Sequence, residues 1–352
     1  MPPSATPLSP SKAAEHLGVS TKALRLYEQH GLLKPGRTAA GWRTYGPAEM
    51  QRAAEIASLR ALGFSLTQIG RVLRGDAAGM EAALAAHHAV LEQRIRVLAD
   101  AAETIRAARV DLAQGKAPSV RELARAAGPV SKVEVAFDLP WPWAGERFEL
   151  RNLRPLNYIT GPLFSGKTRF ARAIAESLPG TVFIGLERSA DGGADVRCRM
   201  GNDAAFGTRV NQALTWLVED GATVSPALLV LVAVLQTDGR RNLVVDMVEQ
   251  GLDHASQEAF IAYLRAHVSL TRSIFLLTRS SAILDLSAVG ADESIILSPA
   301  NHSTPIRVAP YPGAPGYEAV ASCLASPEAR ARTEGVIAVR ADVAGQAPKS
   351  VC

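Results

Sequence analysis

The sequence predicts a small basic helical module at the N-terminus, a long heptad-patterned helix after it, and a larger α/β domain built around a phosphate-binding loop. Three observations carry that reading. Residues 161 to 168 run Gly161-Pro162-Leu163-Phe164-Ser165-Gly166-Lys167-Thr168, the spacing G-x-x-x-x-G-K-[ST] that wraps backbone N–H groups around phosphate oxygens. Residues 1 to 75 hold ten Lys/Arg against four Asp/Glu, so this stretch carries +6 while the whole 352-residue chain carries only +4. Between the two lies a run from Leu84 to Leu112 in which mostly apolar residues recur at alternating steps of four and three, with His88 and Arg109 the polar members.

Composition narrows the classes. With 47% hydrophobic and 20% charged residues the chain is globular, not disordered, and it is long enough for two domains with their own cores. The longest apolar run, Ala227 to Leu235, is too short to span a bilayer, and the N-terminus lacks an apolar leader core. Cys198, Cys323 and Cys352 lie far apart, so neither a disulfide framework nor a zinc site is expected. Arg197 and Arg199 flank Cys198, which reads more readily as a chance neighbourhood than as a redox sensor. A cytoplasmic protein associated with the nucleoid, with no membrane partner, is the expectation.

Within residues 8 to 75, Ser11 to His16 read as a short helix, Gly18 as a turn, and Ser20 as the N-cap of a helix from Thr21 to His30, with Gly31 just beyond it. That is a helix-turn-helix pattern. Its second helix offers Thr21, Lys22 and Arg25 near its start, where a recognition helix presents side chains to base edges and phosphates. The stretch from Gly31 through Arg37 to Gly41-Trp42-Arg43-Thr44-Tyr45 suits a short β wing, and helices are predicted over 47 to 62 and 65 to 73. Tyr27 and Trp42 fit core packing as well as contact, whereas Arg25 and Arg43 fit a core poorly.

Five blocks here resemble the DNA-binding domain of the MerR family of bacterial transcription regulators: Ala14 to Ser20, Leu24 to Glu28, Gly31 to Pro35, Gly41 to Tyr45, and Leu62 to Leu66. The resemblance implies a winged helix-turn-helix that binds a two-fold-symmetric operator in double-stranded DNA as a homodimer and acts on RNA polymerase indirectly. It implies that Lys22, Arg25 and Tyr27 lie on the recognition helix and that Arg43 and Tyr45 meet phosphates from the wing, with Arg37 in the basic segment leading there. Leu26 departs from the family, which commonly has an aromatic or polar residue there.

Residues 80 to 114 form the heptad helix, with Leu84, His88, Leu91, Ile95, Leu98, Ala102, Ile105, Arg109 and Leu112 along one seam. By the same resemblance this helix pairs antiparallel with its copy. His87 and His88 point about 100° apart on a helix and read as a solvated or seam-packed pair, not as metal ligands. No cysteine precedes Cys198, so the metal sensing that some members perform is not expected. Residues 115 to 131 read as a linker with a short helix over 120 to 127, and 133 to 137 as a strand. Trp141 and Trp143, between prolines, suit stacking on a nucleotide base or packing beneath the following domain.

The last domain spans 132 to 335, with a frayed tail over 336 to 352. A β-rich run, Leu156 to Thr160, enters the loop, and a helical pattern of Phe170, Ala171, Ile174 and Leu178 leaves it. Gly161, Ser165, Gly166, Lys167 and Thr168 are the candidate phosphate ligands. Leu243-Val244-Val245-Asp246 supplies a second strand ending in a carboxylate, so that Thr168 and Asp246 are the candidate Mg²⁺ ligands for bound ATP.

The continuation to Asp253 resembles the Walker B segment and D-loop of ATP-binding-cassette-like ATPases. Three departures stand out. Met247 occupies the place of the family's catalytic Glu, with Glu249 a weak substitute; Arg279 replaces a phosphate-sensing His; and Gly221 to Ser225 lacks the Ser-Gly-Gly closure pattern. Slow or absent ATP turnover is therefore expected. The fold class that results is an all-α winged helix-turn-helix domain with a coiled-coil dimerisation helix, followed by an α/β P-loop NTPase domain. The expected function is a DNA-binding regulator sensing ATP, the alternative being an ATPase that uses the N-terminal module for targeting.

Overall fold

A computed structural model describes residues 7–76, 80–113, 135–237, 242–267 and 272–324. The predicted linker over 115 to 131 with its short helix, the start of the strand at 133, and the tail over 336 to 352 lie outside the described residues.

The N-terminal module begins with α1 (Pro10–Leu17), whose N-terminus is capped by Ser9 and whose C-terminus turns at Gly18 with φ 64°. A left-handed turn of that kind suits glycine. Ser20 then accepts the N–H of Ala23 at 3.1 Å and starts α2 (Thr21–Gln29). The wing is the antiparallel pair β1 (Gly36–Arg37) and β2 (Arg43–Thr44), followed by α3 (Pro47–Ala61) and α4 (Leu66–Val72). Leu24, Tyr27, Tyr45, Ile56, Phe64 and Ile69 form a core belonging to this module alone. It can therefore fold as a unit.

Helix α5 (Met80–Ala113) runs for 34 residues, about 51 Å at 1.5 Å per residue. Leu84, Leu91, Ile95, Ile105 and Leu112 are 40 to 65% exposed along it. The seam has no cover within the chain at these described positions.

After the hairpin β3 (Val135–Asp138) and β4 (Arg147–Leu150) comes a mixed six-stranded sheet. Its strands are β5 (Leu156–Thr160), β6 (Thr181–Ile184), β7 (Asn242–Val245), β8 (Ile274–Leu277), β9 (Glu293–Leu297) and β10 (Ile306–Val308). The order is β10-β9-β5-β8-β7-β6, parallel except for β10 on β9. Interior strands of such a sheet are buried on both faces, as β5 and β8 are, and the polar Asn157 of β5 is met by the Arg154 carbonyl and the Ser294 hydroxyl.

Alternation along those strands makes two cores. Ile159, Val244, Phe275 and Leu277 face α6 (Lys167–Ser177) and the β3–β4 hairpin, where Phe170 meets Phe148 edge-on at 5.0 Å. Truncating a buried Phe such as Phe170 to Ala costs about 3–5 kcal/mol. Tyr158, Val245 and Leu276 face the other layer, made by α8 (Ala204–Glu219), α9 (Pro226–Leu235) and α10 (His254–His267). The short α7 (Ala194–Asn202) precedes α8, and α11 (Tyr317–Cys323) ends the described chain. Strand β10 lies between Pro305 and Pro310, local breakers that its pairing with β9 overrides. Among the described residues no helix is long and apolar enough to cross a membrane.

Candidate functional site

The chain leaves β5, turns through residues 161 to 166 and enters α6 at Lys167. Two glycines there are demanded by space. At Gly161, with φ 154°, a Cβ would lie 2.2 Å from the Ser298 carbonyl oxygen, and at Gly166, with φ 84°, it would lie 2.7 Å from the Trp143 ring. The Trp143 ring is buried against Phe170, and its indole N–H donates to the Ser303 carbonyl at 3.0 Å. Packing is therefore the role of Trp143. Trp141 instead stands 70% exposed, with the Arg169 guanidinium 4.3 Å from its ring centre.

The Lys167 ammonium donates to the carbonyls of Gly161 and Pro162 and to Ser165 Oγ, an arrangement that holds the loop around its own cation. Thr168 Oγ1 donates to Asp246 Oδ2 at 2.9 Å. Parallel pairing of β5 with β8 and of β8 with β7 brings these two residues, 78 apart in sequence, to the same end of the sheet. The other Asp246 oxygen, Oδ1, is buried without a hydrogen-bond partner. Burial pushes the Asp246 carboxyl above the usual carboxylate range, opposed by the Thr168 hydroxyl and by the charges of Arg172, Arg188 and Lys167. A hydroxyl and an orphaned carboxylate oxygen, both hard donors, fit a Mg²⁺ ion.

Arg188 escaped the sequence reading. Its guanidinium donates to the carbonyls of Gly185, Asp246, Met247 and Gln250 at 2.7 to 3.2 Å and so fixes the turn after β7. Burial pulls its pKa down. Met247, at φ 42°, lines a cavity of about 400 Å³ together with Trp141, Phe164, Lys167, Thr168 and Arg279. Glu249 is turned instead to the backbone of Arg279, whose N–H donates to Glu249 Oε1 at 3.0 Å, and it is not among the cavity's lining residues. Met247 has no group that can take a proton.

In the N-terminal module the candidate DNA contacts separate into different settings. Arg25 is exposed and Thr21 half-buried at the start of α2. Tyr27 and Tyr45, expected as DNA contacts, are instead rings of the module's core, only 4% and 1% exposed. Arg43 Nε and Arg37 both donate to Glu28, at 2.5 and 3.3 Å, which ties the wing to α2. Trp42, at the wing tip, is 75% exposed, so core packing does not hold for it.

Lys22 faces inward to the following domain, its Nζ 2.8 Å from Glu258 Oε1 on α10. It belongs to a larger contact. Arg60 grips Asp220 with two hydrogen bonds of 2.8 and 3.1 Å, Asp220 also accepts the Leu66 N–H at 2.8 Å, and Trp216 Nε1 donates to the Gly63 carbonyl at 2.9 Å. Removing one partner of such a buried pair costs about 3–5 kcal/mol, because the other charge is left uncompensated. None of these contacts was anticipated. The i, i+4 pattern Phe206, Val210, Ala213, Leu217 is a local signal for α8, but its ion-pair partners lie some 150 residues away.

The family model described as MerR HTH family regulatory protein matches residues 8–76. A protein of Haemophilus influenzae described as a probable heavy metal-dependent transcriptional regulator is 38% identical over 95 residues, covering 25% of this chain and 74% of that one. The HTH-type transcriptional regulator HmrR of Sinorhizobium medicae is 38% identical over 102 residues, 27% of this chain and 69% of that one. A solved structure of HiNmlR, a MerR family regulator lacking the sensor domain and bound to promoter DNA, matches at 25% identity and a TM-score of 0.24, covering 30% of this chain and 94% of that one. With relatives this similar over more than two thirds of their own length, the chain belongs to the MerR family of helix-turn-helix regulatory proteins and is a DNA-binding transcriptional regulator of that type.

Proposed function

We propose that residues 135 to 324 are a nucleotide-sensing effector domain whose occupancy by Mg-ATP changes how the N-terminal module engages operator DNA. The observation that carries this reading is the buried, unpartnered Asp246 Oδ1 beside the Thr168–Asp246 hydrogen bond, at the mouth of a loop that only glycine can line at Gly161 and Gly166. In the proposed complex Gly161, Ser165, Gly166 and Lys167 hold the phosphates, Thr168 and Asp246 hold Mg²⁺, and Arg279 approaches the terminal phosphate from the cavity wall. When bound, the ion would supply positive charge against the phosphates. Lys167, now held by the loop carbonyls, would be the cation available to phosphate oxygens, and the exposed Trp141 ring would be available to a base.

Binding, not turnover, is the proposed output. Met247 fills the place where a proton acceptor would stand, and Glu249 is engaged with the Arg279 backbone. The exposed seam of α5 supports a homodimer through that helix. A physical link between the sites supports coupling. Thr223 N–H donates to Ser256 Oγ and Ser225 Oγ to the Gly251 carbonyl, each at 2.9 Å. The segment that docks the module at Asp220 is thus tied to the segment that follows Asp246. Through RNA polymerase, the change in the DNA complex would then alter transcription.

Equilibrium dialysis with labelled ATP, with and without Mg²⁺, tests the first step. Saturable binding that weakens on Mg²⁺ removal supports the reading, and no saturable binding refutes it. Phosphate release at a rapid, DNA-stimulated rate would favour the targeted ATPase instead.

A further inference from the structure

We propose that the acidic corner formed by Glu219, Asp220 and Glu258 holds the DNA-reading module in a closed form and, through Glu258, competes with DNA phosphates for Lys22; the proposal rests on Lys22 being a DNA contact. Three cations of the basic module, Lys22, Arg60 and Arg71, end on these three carboxylates at 2.8, 2.8 and 3.1 Å. Carboxylate and phosphate offer a lysine ammonium the same kind of anionic oxygen, so Glu258 and a DNA phosphate compete for Lys22, while the Arg60 and Arg71 pairs hold the dock in place.

Steric exclusion adds to charge. Lys22, Ala23 and Leu26 of α2 look across a cavity of about 320 Å³ at Glu258, Ile261 and Ala262 of α10. A space of that size between two helices of one chain does not admit a DNA duplex, whose major groove must take in the recognition helix itself. With α10 in this place the Lys22 face of α2 is closed to DNA, while Arg25 stays open.

The contact is built to release. The module has its own core, so it does not need the dock in order to fold. The contact itself is mostly polar: ion pairs, the Ser65 hydroxyl on Glu219, the Leu66 N–H on Asp220 and the Trp216 indole on Gly63. Lys22 and Arg71 keep 33% and 37% of their side chains in solvent, where salt weakens their pairs. An interdomain interface of this character favours relative motion.

The test uses the full chain and fluorescence anisotropy on the DNA upstream of its own gene, at one fixed salt concentration. Glu258→Gln and Asp220→Asn remove charge at constant volume, and exposed Glu176→Gln removes an equal charge away from the dock. If the closed form dominates, Glu258→Gln tightens binding about tenfold or more, because apparent affinity scales with the competent fraction. Glu176→Gln changes it less than about twofold, as a remote screened charge should. In the Glu258→Gln background, where the pair with Lys22 is already lost, Lys22→Ala weakens binding.

Equal affinity in wild type and both dock variants overturns the closed form and leaves the DNA reading standing. Failure of all of them to bind overturns the DNA reading of Lys22, and the competition with it. Hydrogen exchange provides a readout independent of the substitutions. Saturating DNA should speed exchange in residues 214 to 223, and unchanged protection there in the bound state overturns the proposal.

Discussion

Replacing Asp246 by Asn separates a ligand role from a structural one, because the two move stability in opposite directions. Asp246 is 2% exposed, with one oxygen bonded to Thr168 and the other buried without a partner. Asn keeps an acceptor for the Thr168 hydroxyl and removes the negative charge that burial penalises. An unsatisfied buried polar group costs about 1–3 kcal/mol, more if charged, so relief of about 1 kcal/mol is expected. In a domain of this size that raises Tm by about 2–4 °C without nucleotide.

The same change removes a Mg²⁺ ligand. Wild-type protein with Mg-ATP at a hundred times Kd gains about 2.7 kcal/mol, or some 5–10 °C, and the variant should lose that gain. The pH dependence has a definite sign. Because burial raises the Asp246 pKa, its stabilising contribution to the nucleotide-free fold is present at low pH and is lost as pH rises through the folded-state value. Mg²⁺ binding runs the other way and fails as pH falls through that value, already above the ordinary carboxylate range. Scanning calorimetry or dye-monitored melting reads both effects. A variant that melts lower than wild type without nucleotide, yet keeps the full Mg-ATP shift, refutes the assignment.

Three further outcomes are expected. Trp141→Ala should weaken ATP binding about tenfold in calorimetric titration, since base stacking on an aromatic side chain is worth about 1–3 kcal/mol, and leave Tm nearly unchanged because the ring is 70% exposed. Ile95→Asp, at a seam position 65% exposed in the single chain, should convert a dimer to monomer in analytical ultracentrifugation; each such side chain buried is worth about 1.5–3 kcal/mol and the change occurs twice per dimer. His267 is held below its usual pKa, chiefly by burial and then by the Arg60 charge, with the Tyr263 carbonyl opposing. The stability it contributes is therefore present above about pH 6.5 and lost as pH falls through the folded-state value. His267→Phe, which keeps a ring on Tyr263 at the present 4.3 Å stacking distance, should flatten that part of the acid decline in Tm.

Much of the architecture was legible because its signals are local. Gly18 and Ser20 punctuate the first two helices through backbone geometry that the residue types themselves favour. Leu156 to Thr160, the loop, and the Phe170-Ala171-Ile174 face read as strand, turn and helix by period alone. Where the reading stopped, the deciding information was not local. Tyr27 and Tyr45 resemble contact residues by type, and only the packing of wing against α2 makes them core. Strand β10 exists because β9 offers an edge, against its own prolines. The grip of Arg60 on Asp220 and the reach of Arg188 to the carbonyls of the turn after β7 depend on long-range contacts that no spacing rule encodes. The loop at 161 to 168 was visible in full, yet the feature that makes it a proposed Mg-nucleotide site, an orphaned carboxylate oxygen 78 residues from Thr168, required the sheet.

The central claim is that nucleotide occupancy changes DNA engagement, and one titration tests it most directly. Anisotropy of labelled promoter DNA is measured against the full chain with no nucleotide, with Mg-ADP, and with Mg²⁺ and a non-hydrolysable ATP analogue, beside Lys167→Ala under the same conditions. The analogue is expected to shift DNA affinity by about 5-fold or more, the range of ordinary allosteric coupling, and Lys167→Ala to show the same affinity in all three. Identical wild-type curves, under conditions in which dialysis shows the analogue bound, would contradict it.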